Sequence, residues 1–244
     1  MNGSLQAFAL VIGNARSGTT IVGSILNSHP EMLCANETKA SRAFWQEWTR
    51  EEIVAELESN CADPDQKSRF SAWGYAIPSA VKSSVTLLAD KIWNPTLLLV
   101  AGNIGLLNRL SETMGAPVRL IHCVRNPFDA IATMHRRSGA PLEDRMLWYF
   151  MHCEAAEMLI ARGDRPLHLV RHEELTADAE GVAGSMFRWL GYDADRAHLA
   201  QVRAAVHPEP NRSRNAVTWP QDLIREIEAR AANYAFLNGY RFDS

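Results

Sequence analysis

The sequence predicts an α/β fold: a P-loop-type parallel β-sheet flanked by helices, in a single domain. Three observations carry this. Short β-rich apolar runs alternate with longer segments of helical period, and strands separated by helices pair in parallel through crossover connections. The first apolar run ends in a GxxxxG frame that opens a helix. The chain has 244 residues, 47% hydrophobic and 22% charged, enough to bury one large core without a staple.

The elements follow in order. Residues 7–12 are the first strand, and 19–27 the first helix, with Ile21, Val22, Ile25 and Leu26 on one face. Thr49 followed by Glu52 is a capping box that opens a helix to residue 59. Residues 60–80 carry Asp63, Pro64, Gly74 and Pro78 and read as a loop or short insertion. Residues 85–91 are a strand, and 96–113 one Leu-rich helix stopped by Gly115 and Pro117. A strand over 119–124 leads into a helix over 127–137, with Pro127 at its start. A long helix spans 142–162, with Leu147, Phe150, Met151, Met158 and Leu159 at helical spacing. Then come a strand over 167–171, a helix over 178–190 ending at Gly191, and a last helix over 221–237 ending before Gly239. Ligands of such sheets bind beyond the carboxyl ends of the strands, so the chemistry is expected just after each strand.

The net charge of −3, from 25 basic against 28 acidic residues, excludes a general nucleic-acid coat or an anionic-membrane binder. A polyanion would have to be held by a few local cations. Cys34, Cys61, Cys123 and Cys153 form no CxxC pair and no Cys/His cluster of metal-finger spacing. They read as buried thiols of a reducing compartment, and no metal is expected. With no secretory leader pattern and no apolar stretch of membrane-span length, a cytoplasmic protein is expected.

After the first strand comes Gly13-Asn14-Ala15-Arg16-Ser17-Gly18-Thr19-Thr20. Glycines let successive N–H groups converge on one anion, and the helix N-terminus adds its dipole. Thr-Thr stands where an NTPase carries Lys-Ser/Thr, so the loop suits a single phosphate better than a triphosphate–metal unit. Arg16 supplies positive charge, and Ser17, Thr19 and Thr20 supply hydroxyls around Gly18. A glycine-rich turn that merely joins strand to helix is the alternative, and the Arg, Ser and two Thr weigh against it. The strand over 119–124 runs into a second candidate anion site, Arg125 with Thr133 eight residues on and Arg137 one turn further. Here the alternative is Arg125 paired with Asp129 and a solvated Arg136-Arg137 pair. Two anion sites on neighbouring strand ends suggest a nucleotide phosphorylated in two separate places.

On these motifs the chain resembles the PAPS-dependent sulfotransferases, whose donor is 3′-phosphoadenosine 5′-phosphosulfate (PAPS). Arg16-Ser17-Gly18-Thr19-Thr20, continuing to His29-Pro30, resembles the family's 5′-phosphosulfate loop. Arg125-Asn126-Pro127-Phe128-Asp129 with Thr133 resembles its 3′-phosphate motif, in which an Arg is followed eight residues later by Ser. His172-Glu173-Glu174-Leu175 followed by Arg188-Trp189-Leu190-Gly191 is similar to the YEDL…FLG segment, with His172 at the family's Tyr, a position linked to adenine stacking. Within the family the motifs are most similar to the tyrosylprotein-sulfotransferase type. His29-Pro30-Glu31-Met32-Leu33-Cys34-Ala35-Asn36-Glu37-Thr38-Lys39 resembles its HPxxxCxEET(R) stretch, which implies Glu37 as catalytic base and Lys39 as an anion-binding residue. Asp90-Lys91 resembles its NK element and implies that Lys91 assists the transferring group. Asn211-Arg212-Ser213-Arg214 resembles the loop that closes over the donor, which implies donor contacts for Arg212 and Arg214. The resemblance runs from about residue 9 to 240, and the RKG ending of the cytosolic type is absent.

The expected reaction is sulfuryl transfer from PAPS to a hydroxyl acceptor, an alcohol or phenol. Charge grows on the leaving 5′-phosphate oxygen, where the loop, Arg16 and Lys91 stabilise the transition state. The migrating group carries little charge, so no metal is required. The acceptor must lose a proton, and a carboxylate in reach is worth ~10²–10⁴-fold. Glu37 is the expected base, and His135, on the 3′-phosphate helix, is a rival that could reach the acceptor. Trp45 reads as core or as a wall of the acceptor pocket, and Trp73 and Tyr75 place residues 60–80 on the acceptor side. The acceptor itself, a small molecule or a peptide tyrosine, and the oligomeric state are not encoded legibly. Two other readings stay open: an ATP- and Mg²⁺-dependent P-loop kinase, against which the missing lysine speaks, and a non-catalytic nucleotide-binding module. Arg16, Lys91, Arg125, Arg137, Arg212 and Arg214 are expected to converge on one basic cleft.

Overall fold

Strand β1 (Ala7–Gly13) alternates between two apolar layers. Phe8, Leu10 and Ile12 enter one, and Ala7, Ala9 and Val11 the other. Successive strand side chains point to opposite faces, so an all-apolar strand requires cover on both sides. The computed structural model describes residues 4–38, 47–63, 77–103 and 105–244 and shows that cover. Strands β2 (Met32–Asn36), β3 (Leu87–Lys91), β4 (Val118–Val124) and β5 (Leu167–Arg171) join β1 in one five-stranded sheet. Their order is β2-β3-β1-β4-β5, and every pair is parallel.

Along the chain the described helices are α1 (Thr19–Asn27), α2 (Arg50–Ala62), α3 (Asn94–Gly102) and α4 (Gly105–Met114). They continue as α5 (Pro127–Ser138), α6 (Leu142–Arg162), α7 (His172–Ala177) and α8 (Ala179–Leu190). The last are α9 (Arg196–Ala205) and α10 (Gln221–Ala231). Ile53 and Leu57 of α2, Leu97 and Val100 of α3, and Leu107 and Leu110 of α4 cover one face. Ile21, Val22, Ile25 and Leu26 of α1 and Met186, Phe187 and Leu190 of α8 cover the other. A third cluster packs α5, α6 and α10 through Phe128, Ile131, Tyr149, Phe150, Leu223 and Ile227. The α/β class, the parallel sheet and the single domain are as the sequence predicts.

The structure adds α7 and delimits β2, neither of which the sequence reading bounded, and differs from it at four further places. The helix expected over 96–113 is two, α3 and α4, because Asn103 is extended (φ −130°, ψ 99°) and its Oδ1 accepts the Gly105 N–H at 3.2 Å. The last helix stops at Ala231, and a separate 3₁₀ turn over Ala235–Leu237 presses Phe236 and Leu237 into the third cluster. Helix α9 buries only Val202, too thin an apolar face to give a period, although Asp195 caps it by accepting the His198 N–H at 2.8 Å. Helix α2 runs to Ala62, beyond residue 59. Residues 64–76, with Trp73 and Tyr75, lie outside the described residues, and 77–80 belong to no helix or strand.

His122 sits in β4 at 1% exposure, edge-on to Phe236 with ring centroids 4.7 Å apart. Burial alone pushes its pKa down to about 4. The unfolded chain therefore takes up a proton near pH 6.5 that the folded chain refuses until about pH 4, so stability falls as pH drops through that window. The loss is roughly 1.4 kcal/mol per pH unit from this one ring. A His122→Gln variant should show a flatter fall of Tm between pH 6.5 and 4.5 than the parent in a melting series.

The chain leaves β1 toward β2 and β3 on one side and leaves β4 toward β5 on the other. The β1/β4 junction is thus the switch point at which such sheets open a crevice. All five strands end at one edge, at Gly13, Asn36, Lys91, Val124 and Arg171.

Candidate active site

Beyond β1 the backbone turns tightly. At Gly13 (φ 151°) a Cβ would lie 2.4 Å from the Cys123 carbonyl oxygen, so the loop starts flush against β4. Arg16 (φ 72°) and Gly18 (φ 91°) are both left-handed, a conformation that costs a non-glycine residue roughly 1–3 kcal/mol. Helix α1 then begins at Thr19, and the N–H groups of its first turn have no intrahelical acceptor. The result is a concave array of donors at a helix N-terminus. A buried residue braces it from below: Asn14 Nδ2 donates to Cys153 Sγ of α6 at 3.2 Å. Ser17, expected to offer its hydroxyl, is 1% exposed, with its Oγ enclosed and without a hydrogen-bond partner.

Arg125 is the first residue past β4. It is buried, donates from Nη1 to the Arg16 carbonyl at 3.2 Å, and donates from Nη2 to the Asn211 carbonyl. The guanidinium thus ties the strained turn of the first anion site to the segment after α9. The Arg125 carbonyl accepts from Tyr149 of α6 at 3.4 Å. Asn126 caps α5 by accepting the Phe128 N–H at 3.0 Å, and Pro127 fills its first turn. Thr133 Oγ1, one face of α5 further on, donates to the Asp129 carbonyl at 2.7 Å and lies 2.9 Å from Ser213 Oγ.

These residues open into one cavity of about 400 Å³. Arg16, Gly18, Thr19, Thr20, Arg125, Thr133 and Arg137 line it, so the two anion sites expected from the sequence share one space. The sequence reading did not include Thr176, His207 or Glu209, which line the wall together with Asn211 and Ser213 of the loop it placed over the donor. His172, first residue of α7, also lines it, with its ring against Gly18: a Cβ there would lie 2.8 Å from His172 Nδ1.

Arg212 and Arg214 line a different cavity, of about 470 Å³, with Glu173 and Tyr240. Arg214 is a buried strut. It pairs with Asp129 at 3.4 Å, its backbone N–H reaches Asp129 Oδ1 at 2.9 Å, and it donates to the Ser244 carbonyl. Asp129, the partner that the sequence offered to Arg125, is thus engaged by Arg214. Of the six cations expected in one basic cleft, Arg16, Arg125 and Arg137 line the first cavity and Arg212 and Arg214 the second.

At the other side of the loop, β2 and β3 end side by side. Lys91 Nζ meets Glu37 Oε1 at 2.5 Å, and the Glu37 N–H donates to the Lys91 carbonyl at 2.8 Å. Lys91 is deep (side chain 7% exposed), whereas Glu37 opens to solvent at 34% on a left-handed backbone (φ 52°). Asp90 is enclosed beneath them and accepts from Thr38 Oγ1 at 2.6 Å and from the Thr38 N–H at 3.4 Å; burial raises its pKa to about 6. Its carboxylate is engaged by Thr38. His135 lies in the last turn of α5, where Nδ1 is 2.8 Å from the Ala140 carbonyl, closing off its own helix end. Lys39 and Trp45 lie outside the described residues. Among the described residues no group of three or more His, Cys, Asp or Glu could hold a metal ion.

Along the sheet edge the order is therefore Glu37, Lys91, the Gly13–Thr20 turn, Arg125, His172. A family model described as the sulfotransferase family matches residues 9–196. The chain belongs to the sulfotransferase family. Solved sulfotransferases share its fold. The sulfotransferase domain of the Synechococcus PCC 7002 olefin synthase is 16% identical, superposes with a TM-score of 0.60, and the match covers 96% of each chain. A sulfotransferase of Mycobacterium avium is 13% identical with a TM-score of 0.53, over 95% of this chain and 77% of that one. A mouse sulfotransferase complexed with PAP is 12% identical with a TM-score of 0.50, over 93% of this chain and 84% of that one. No curated protein sequence matches the chain significantly. At these identities the likeness speaks for the fold. The family's chemistry, sulfuryl transfer, comes with the membership.

Proposed function

We propose that this sulfotransferase moves the sulfuryl group of PAPS to the hydroxyl of an alcohol or phenol, with Glu37 as general base. The observation that carries the reading is the order along the sheet edge: a carboxylate–ammonium pair on one side of the phosphate loop, a buried arginine on the other. PAP, the desulfated donor, is bound in the mouse relative, and a cavity with two anion sites suits it. Loop N–H groups, Arg16 and the α1 N-terminus would receive the 5′-phosphate, and Arg125, Thr133 and Arg137 the 3′-phosphate.

The Glu37–Lys91 pair gives the transfer its proton path. Glu37 takes the acceptor hydroxyl's proton and becomes neutral. Its hold on Lys91 then weakens, and the ammonium turns to the leaving 5′-phosphate oxygen, where negative charge is growing. The motif around Glu37 resembles that of tyrosylprotein sulfotransferases, which supports a phenol among the acceptors. The four free cysteines suit a reducing compartment, which supports a cytoplasmic enzyme. Purified protein given PAPS and a panel of alcohols and phenols should release PAP with stoichiometric sulfated product, chelator present or not. Failure of PAP to bind in calorimetry would overturn the reading.

A further inference from the structure

His172 is 6% exposed, and its Nδ1 is enclosed with no hydrogen-bond partner. A buried ring nitrogen without a partner is costly, and native folds keep such atoms where something else is gained. The ring lines the two-anion cavity and rests on Gly18, the last residue before α1. The charged and titratable groups around that cavity come from every element that meets there. Arg16 comes from the loop, Arg125 from the end of β4, Arg137 from α5, and His207 and Glu209 from the segment after α9. Glu173 follows in α7 itself and is engaged by the Asn126 N–H at 2.9 Å and the Tyr240 hydroxyl at 2.6 Å.

An imidazolium in the empty cavity would add a cation beside Arg125 with little water to screen it. Burial, and then the Arg125 charge, push the pKa of the ring down to about 4. The ring is therefore neutral at physiological pH while the cavity holds no anion. A phosphate ester reverses the local field, and a protonated ring becomes one more charge-assisted donor beside Arg125. We propose that His172 is a proton-coupled anion ligand, neutral in the empty cavity and protonated when phosphate groups fill it, so that donor binding takes up a proton from solvent. This rests on the donor reading above and adds a role that a tyrosine at this position could not perform.

The test is calorimetry with PAP in two buffers of different ionisation enthalpy at pH 6, 7 and 8. The wild-type protein should take up more protons per PAP than His172→Gln, and His168→Gln, in β5 and outside the cavity, should behave as wild type. The ratio of wild-type to His172→Gln affinity should grow about tenfold from pH 8 to pH 6, because linkage allows at most tenfold per pH unit and the ring titrates over part of the range. PAP's own phosphate ionisation is common to both proteins and cancels in that ratio. His172→Phe keeps the ring volume if the glutamine variant melts. ¹⁵N imidazole spectra of the wild-type protein at pH 6.5 should show one ring passing from neutral to imidazolium as PAP is added. Tight PAP binding with equal proton uptake in wild type and variant, or with no ring converting, overturns the inference and leaves the donor reading standing. Absence of PAP binding at every pH removes both.

Discussion

Replacing Arg125 by alanine should weaken PAP binding by about a hundredfold or more, read by calorimetry. One charge-assisted hydrogen bond to a phosphate contributes roughly 1.5–3 kcal/mol, and a guanidinium can offer two. A hundredfold is about 2.7 kcal/mol, so the expected loss lies within what one bidentate contact supplies. A second contribution comes from architecture. Arg125 also holds the carbonyls of Arg16, in its left-handed turn, and of Asn211, so its removal loosens the first anion site together with the second. Arg125→Lys keeps the charge but not the planar fork and should recover only part of the affinity. A melting curve separates this from global unfolding, since the lost backbone ties are local. Unchanged PAP affinity in Arg125→Ala would show that the 3′-phosphate is held elsewhere.

Glu37→Gln should lower kcat by ~10²–10⁴-fold while leaving PAP affinity within a few fold, because the substitution removes a proton acceptor outside the donor cavity. The glutamine keeps the shape and can still accept from Lys91, so the ammonium is not stranded without a partner at its 7% exposure. Alanine would strand it, which makes the amide the cleaner probe. Full turnover in Glu37→Gln would move the base to another residue. His135, whose Nδ1 is 2.8 Å from the Ala140 carbonyl and whose Nε2 can then serve as the basic nitrogen, would be the next candidate.

Much of this architecture was legible because it depends on pattern. The run over 142–162 coincides with α6, and the β1 alternation places six side chains in two layers. Parallel strands must end at one edge, so a loop after β1 and an arginine after β4 had to be neighbours once both strands were recognised. What stayed hidden depends on partner choice. Charge alone could not tell that Asp129 would pair with Arg214, or that Arg125 would donate to the carbonyls of Arg16 and Asn211. Nor could composition tell that Ser17 turns inward. The brace from Cys153 to Asn14 spans 139 residues, and a helical period says that α6 is buried, not which loop rests upon it. The break at Asn103 was masked by leucines on both sides, with Gly102 and Gly105 its only markers.

The strand order has a consequence for how such a chain can change. The residues proposed to hold the two phosphates before transfer follow β1 and β4, while Glu37 and Lys91, proposed to act during the transfer, follow β2 and β3, and those two strands with α2 lie in one uninterrupted stretch of the chain. Two crossovers, one before β2 and one after β3, would exchange the proposed base and its lysine together, and the proposed phosphate-binding residues that follow β1 and β4 would stay with the parent chain.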